Sequence, residues 1–323
     1  MQGKELSEPD ATPPVYAGVD VCKDWLDIYV HPGGQRLRVC NDRFGLKKLK
    51  RELSALGAVG VVMEATGKHH RAAHRSLHAA GFAVAVVNPL RARLFAEAIG
   101  QLAKTDRLDA RLLALMGAAL TPAPRPPASQ VLEALAELVN ARHAATAECT
   151  ALANRLAAAA TGFLKAELRR RIDACRTHIT RIEKHIARHV EDHPDIARRF
   201  AILTSIPGIG PVTAQALIAG LRELGACSAR QATLLAGLAP LADDSGGRSG
   251  YRSVRGGRKR VRNALYMAAL TAMRKNPDLA TFANRLKKAG KKPKVVIVAI
   301  MRKLLVLANT LITQDRLWTP QQT

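Results

Sequence analysis

The stretch Thr121-Pro122-Ala123-Pro124-Arg125-Pro126-Pro127 limits this chain more than any other. Each proline locks its own φ, lacks an N–H donor and pushes the preceding residue toward extended backbone. Neither a helix nor a central strand therefore runs through it. It reads as a stiff linker. On its N-terminal side, strand-like runs alternate with helical spacing. On its C-terminal side, residues 130–192 contain no proline and one glycine, Gly162, and the apolar spacing is helical throughout. Two domains are also the soft expectation for 323 residues. The expected organisation is a disordered extension over 1–14, an α/β domain over 15–120, the linker over 121–128, long helices over 129–193 and a helical domain over 194–323.

Within the first domain, Val15 to Val19 runs apolar into Asp20, Trp25 to His31 alternates, Pro32-Gly33-Gly34 is a turn, and Arg36 to Cys40 alternates again. This predicts a three-strand antiparallel meander. Helical spacing follows at Leu46, Leu49, Leu53 and Leu56, with Gly57 as a stop. Ala58 to Met63 is a continuous β-branched run of the kind found in strands covered on both faces, and it ends in Glu64. A helix over 69–80, a strand over 83–87 and a further helix after Asn88-Pro89 complete a mixed sheet with helices on its faces. Beyond the linker, Ser129 caps the first of two long helices, bent or broken near Gly162. They form either a coiled coil or a plain helical hairpin within one core. Ser205-Ile206-Pro207-Gly208-Ile209-Gly210-Pro211 has the pattern of a helix-hairpin-helix, in which Gly208 and Gly210 leave backbone N–H groups at a helix start to hold phosphate. An ordinary tight interhelical turn is the alternative.

Charge narrows the partners. Fifty Lys and Arg against 26 Asp and Glu give +24, a balance suited to nucleic acid first and an anionic membrane surface second. Aromatics make up only 4%, so stacking on bases is not the expected binding mode. Phosphate contacts are expected from the basic stretch carrying Arg248, Arg252, Arg255, Arg258, Lys259 and Arg260. A second basic group (Arg285, Lys287, Lys288, Lys291, Lys292, Lys294) precedes an apolar helix over 295–311. The longest buried-looking run, Val295 to Ile300, is far too short for a membrane span, and no membrane partner is expected. Five cysteines without a CxxC pair point to a reducing compartment, with no zinc cluster and no disulfide framework. A soluble, cytoplasmic protein is expected.

Four carboxylates carry the candidate chemistry. Asp20 and Glu64 end two strands. Asp106 and Asp109 stand three apart at the head of an apolar-periodic run, a spacing that puts them on one helix face. Alone, that pair is also a plain N-terminal dipole cap. Four hard oxygen donors at one sheet edge suit Mg²⁺, with Mn²⁺ as a substitute, and not zinc. Beside a phosphodiester, such ions assist both the attacking and the leaving oxygen. Asp24 and Asp27 are rivals set aside, since Asp27 shares the face of Asp20 only if the hairpin register allows it. His70, His74 and His78 follow one another at i, i+4, i+8, and a solvated helix face is preferred to a metal site there. Ser245 sits in Asp244-Ser245-Gly246-Gly247. From composition this is a common turn, although glycines let a hydroxyl approach a phosphate held by arginines.

Taken together, Gly18-Val19-Asp20, Glu64-Ala65-Thr66-Gly67, Asn88-Pro89, Lys104-Thr105-Asp106-Arg107-Leu108-Asp109-Ala110, Ser205 to Gly210, Gly237-Leu238-Ala239-Pro240, Asp244-Ser245-Gly246 and Arg262 to Met267 resemble the insertion-sequence-110 family of transposases. The family is also called the DEDD or Piv/MooV-type recombinases, and the resemblance covers roughly residues 15–312 in order. It implies an RNase H-type, RuvC-like N-terminal domain with Asp20, Glu64, Asp106 and Asp109 as its acids and Mg²⁺ ligands, a coiled-coil middle, and a C-terminal transposase domain whose serine falls on Ser245. It implies a recombinase of a mobile element that cuts and rejoins donor and target DNA at the prokaryotic nucleoid. Dimers pairing into tetramers, with serine and acids from different subunits, and a structured noncoding guide RNA are implied as well. Two other readings stand beside it: a RuvC-type hydrolytic nuclease or junction resolvase with water as nucleophile, and a nucleic-acid-binding protein whose acids are structural.

Overall fold

The computed structural model describes residues 14–65, 67–101, 106–241, 250 and 252–320, with the side chains of 106–108 outside that description. Expectations for residues 1–13, Thr66, Lys104, Thr105, Asp244, Ser245 and Arg248 lie outside the described residues. The chain divides into two compact units, 1–128 and 129–323.

The first unit runs β1 (Tyr16–Val21), β2 (Trp25–His31), β3 (Arg36–Cys40), α1 (Arg43–Ala55), β4 (Gly60–Glu64), α2 (His70–Ala79), β5 (Ala83–Val87), α3 (Pro89–Ala98) and α4 (Asp106–Leu120). The five strands form one sheet in the order β3-β2-β1-β4-β5. β1, β2 and β3 are an antiparallel meander, and β4 pairs in parallel with both β1 and β5. This is the mixed sheet with helices on its faces that was expected from the sequence. Strand alternation sends successive side chains to opposite faces. Ala17, Val19, Val21, Leu26, Ile28, Val61 and Met63 pack on one face against Leu46, Leu49 and Leu53 of α1 and Leu77 of α2. Val62, Ala85 and Val87 face the other way, against Leu113 and Met116 of α4.

Two glycines let α4 lie directly on that second face. A Cβ on Gly18 would stand 2.0 Å from the carbonyl oxygen of Ala110 and 2.4 Å from the amide nitrogen of Ala114. A Cβ on Gly117 would stand 2.8 Å from the Tyr16 ring. Ala110 thus sits over Gly18, and Gly117 over Tyr16, so α4 runs antiparallel to β1 with its first turn toward the C-terminal end of that strand.

The histidine row was expected to be a solvated helix face; His78 is exposed, but His74 is not. His74 is buried, and its Nε2 lies 2.9 Å from the carbonyl oxygen of Arg125 in the proline stretch, whose N–H in turn donates to Val84 of β5. Arg125 of the linker is therefore held both by the sheet, through its N–H, and by α2, through His74.

The second unit runs α5 (Gln130–Ala158), α6 (Gly162–Glu191), α7 (Pro194–Ser205), α8 (Pro211–Gly220), α9 (Ala229–Leu235), β6 (Pro240–Leu241), β7 (Ser253–Val254), α10 (Lys259–Lys275), α11 (Pro277–Lys288) and α12 (Pro293–Thr313). Ser129 and Thr161 cap α5 and α6 through their hydroxyls. The two helices form an antiparallel hairpin: Cys175 Sγ meets the Ala145 carbonyl oxygen at mid-length, and His189 Nε2 meets that of Val131 at the open end. Leu168, Ile172, Cys175, Ile179, Ile182 and Ile186 keep the alternating three-and-four spacing of a coiled-coil seam. The partner of that seam is α5 of the same chain, and its residues share one apolar cluster with α7 to α12.

Helix α12 corrects the reading of its apolar run. It is 21 residues long and apolar enough to span a membrane by length and composition, not merely the short stretch 295–300. Its residues Val296, Ile300, Leu304, Ala308 and Leu311 recur every three or four positions inside the core of the unit, as a central helix of a folded domain requires.

Candidate catalytic and nucleic-acid-binding site

In β1, Ala17, Val19 and Val21 point to the α1 side, so Asp20 points to the side that α4 covers. The same alternation turns Glu64 that way, since its neighbour Met63 packs on the α1 side and Val62 against α4. The parallel register pairs Val19 with Met63, so Asp20 and Glu64 are the next residues of two adjacent strands at one sheet edge. Asp20 is half-buried, and its Oδ1 accepts a 2.9 Å hydrogen bond from the Val21 amide. Ala110 over Gly18 sets the level of the helix. One helical turn back from Ala110 and two strand residues on from Gly18 are both about 6 Å, which brings the first turn of α4, residues 106–109, level with Asp20.

The donors expected at this edge are all carboxylates, the hard oxygens that Mg²⁺ or Mn²⁺ takes. Among the described residues, no three His, Cys, Asp or Glu are gathered closely enough to hold an ion. Asp20, Glu64 and Asp109 belong to that set and do not by themselves form such a group, and the side chain of Asp106 is outside it. Donor type and strand-end placement fit a divalent ion.

Asp27, set aside from the sequence, belongs to the same face. The β1–β2 register places it directly opposite Asp20, and the β2–β3 register places Arg38 directly opposite Asp27. Arg38 donates to both carboxylate oxygens of Asp27, at 2.7 Å each. The two-residue turn Lys23-Asp24, closed by the Cys22 N–H on the Trp25 carbonyl oxygen, goes with this register.

The second unit contains the glycine hairpin expected from the sequence. α7 and α8 meet in the hairpin Ile206–Gly210. Gly208 has φ +108°, and a Cβ there would lie 2.5 Å from Ala272 Cβ of α10, so its conformation and its contact both require glycine. Gly210 caps α8, is exposed and has open space around it. Lys275 of α10 lines the same hollow with Thr204, Gly210 and Thr213, a cation that spacing alone did not single out.

Arg252, Arg255, Lys259 and Arg260 are exposed. Arg260 donates to Asn140 of α5. Arg258 has another occupation. It donates to both oxygens of Glu223, at 2.5 and 2.7 Å, and to the last carbonyl of α8 at Gly220. Burial pushes the Glu223 carboxyl up, but the hydrogen bonds and charge of Arg258 outweigh it and hold the carboxyl below its ordinary value. β6 pairs with β7, Leu241 opposite Ser253, so the ends of the segment that contains Ser245 are drawn together. Below that base, Gly257 and Gly237 touch backbone to backbone: a Cβ on Gly257 would be 2.1 Å from the Gly237 nitrogen.

A family model described as a transposase of the DEDD type matches residues 17–164. A second, described as the transposase IS116/IS110/IS902 family, matches residues 200–284. The pilin gene-inverting protein of Moraxella bovis is 30% identical over 312 residues, covering 93% of this chain and 96% of the relative. The protein of the same name from Moraxella lacunata has the same identity and coverage. Among solved structures, T. thermophilus RuvC in complex with a Holliday junction substrate matches 34% of this chain and 98% of its own, at 14% identity and a TM-score of 0.28.

Proposed function

Because this chain belongs to the IS116/IS110/IS902 family of transposases, we propose that it is the recombinase of a mobile insertion sequence, with its cutting edge at Asp20, Glu64, Asp106 and Asp109. The observation that carries this reading is the convergence on one sheet edge: Asp20 and Glu64 end adjacent strands on the face that α4 covers, and Gly18 admits Ala110 so closely that the first turn of α4 arrives at the same level. These four carboxylates would hold Mg²⁺, for which Mn²⁺ substitutes. Bound there, the ion supplies Lewis acidity toward the scissile phosphodiester.

Ser245 is the nucleophile of this reading. Its Oγ attacks phosphorus, an Oγ–P ester forms, one P–O bond of the DNA backbone breaks, and a hydroxyl end of DNA leaves. Attack on the phosphoserine by the hydroxyl end of another strand restores the backbone and frees the serine. The loop offers Ser245 no adjacent histidine or lysine, so the group that activates it comes from the acid edge of the same or another copy of the chain. A dimer, and a tetramer on DNA, supply such a second copy. The excess of basic charge serves donor and target DNA and a structured noncoding guide RNA. The likeness in name to proteins that invert a gene segment supports strand exchange rather than simple hydrolysis, and the work of such an enzyme is done at the nucleoid of a prokaryotic cytoplasm.

The test is a denaturing gel of labelled DNA after reaction, with mass spectrometry of any attached peptide. The parent protein is expected to give a covalent species at Ser245 that vanishes in Ser245→Ala and on chelation of divalent ions, while DNA and RNA binding persist. An adduct on Ser249 or Ser253 would move the nucleophile. Metal-dependent nicking by both proteins without an adduct would make this a hydrolytic nuclease of the resolvase kind.

A further inference from the structure

The sheet face that carries Asp20 continues past α4 onto β2 and β3, and a second constellation lies there. Asp20, Asp27 and Arg38 form one row across three strands. Asp27 is only 8% exposed, whereas the Arg38 side chain, which grips it bidentately, is 53% exposed. The Arg38 guanidinium also lies over the Trp25 ring, 5.2 Å from its centroid. Two residues along β3, Arg36 lies over the Tyr29 ring at 5.7 Å. A groove between these side chains and Ala110 of α4 opens to solvent. Two cations on aromatic supports, spaced along an edge strand and joined by one row to the acid edge, match the repeating charge of a nucleic-acid backbone.

We propose that Arg38 and Arg36 seat the phosphates of the DNA strand presented to the acids at Asp20. Arg38 lies two strand spacings from Asp20, about 10 Å, and so reaches a phosphate next along the strand rather than the one being cut. Asp27 is the positioning residue: its carboxylate fixes the fork of the guanidinium on the Trp25 ring, and its own charge is cancelled beside a site that already holds several carboxylates. The seat rests on the reading of Asp20 as the cutting edge, but it is tested by binding alone.

The rival account is that Arg38 does nothing but neutralise Asp27. Full-length protein with Trp318→Phe leaves Trp25 as the sole tryptophan, and it is titrated with a single-stranded DNA oligonucleotide in EDTA. Bound DNA is expected to change the emission of Trp25. In Arg38→Ala, the slope of log affinity against log salt is expected to shrink by about 0.7, the loss of one phosphate contact on a single strand. The double variant Asp27→Asn/Arg38→Ala, which leaves no unpaired buried charge, is expected to bind as weakly as Arg38→Ala. Recovery of parental affinity and slope in the double variant would leave Arg38 as a neutralising partner only and overturn the proposal. Binding that leaves Trp25 emission unchanged would also overturn it. Failure of the cutting-edge reading is separate: it would show as normal strand cutting by Glu64→Gln.

Discussion

Gly18 shows how one residue without a side chain can position those that have them. Its missing Cβ is the space that the backbone of α4 occupies, at Ala110 and Ala114. Gly18→Val would push against main-chain atoms, not the yielding end of a flexible side chain, so α4 must move. A loss of about 1–3 kcal/mol, the usual scale of overpacking, is expected in denaturant unfolding, and recombination should fall further than stability does because α4 carries Asp106 and Asp109. The acids themselves behave in the opposite sense. Asp20→Asn and Glu64→Gln are expected to abolish recombination while leaving the thermal midpoint equal or higher without metal, since crowded carboxylates repel one another. Two such variants recombining normally in Mg²⁺ would remove the assignment. Asp20 and Glu64 were legible in sequence as ends of apolar runs. Asp27 was not, because a strand's alternation says which residues share a face but not which residue of the neighbouring strand stands opposite.

Among elements, the long helices were read correctly in length and left open in partner. Heptad-like spacing is the same whether the second helix belongs to this chain or to another copy. The three residues between α5 and α6 resolve it, because so short a turn folds one helix back on the other. Self-association through the α5–α6 seam is therefore not needed to bury it, and any oligomer must use another surface. The junction of α8 and α10 was hidden for a different reason: a basic run looks alike whether an arginine faces solvent or a carboxylate. Arg258 was expected among the phosphate contacts, yet its guanidinium is engaged by Glu223 and by the end of α8. Glu223→Gln is expected to cost about 1–2 kcal/mol at neutral pH, discounted for partial exposure. The Glu223 carboxyl is held below its ordinary value, so the stabilisation is complete above the unfolded-state pKa and disappears as pH falls through the lower folded value. Thermal midpoints of parent and variant should accordingly differ at pH 7 and converge in acid. A gap that widens in acid would reverse the sign of this linkage.

At the scale of the whole molecule, a charge of +24 makes the affinity for nucleic acid an electrostatic quantity. Log affinity is expected to fall linearly and steeply with log salt between about 50 and 200 mM. Fluorescence anisotropy of a labelled duplex checks this, and a flat line would point to a binding mode that does not rest on phosphates. Arg252 and Arg255 are exposed, and their alanine variants should reduce the slope, whereas Arg258→Ala should act first on stability. The path of α4 over Gly18 has a further meaning in time. β1 is made at the start of the first unit, and the helix that covers its second face is made near the end, so the contact joins residues far apart along the chain and closes late. Synthesis proceeds from the N-terminus. On the proposed reading, a nascent or truncated polypeptide that stops short of α4 has its strands but lacks Asp106 and Asp109, and is expected to cut no DNA.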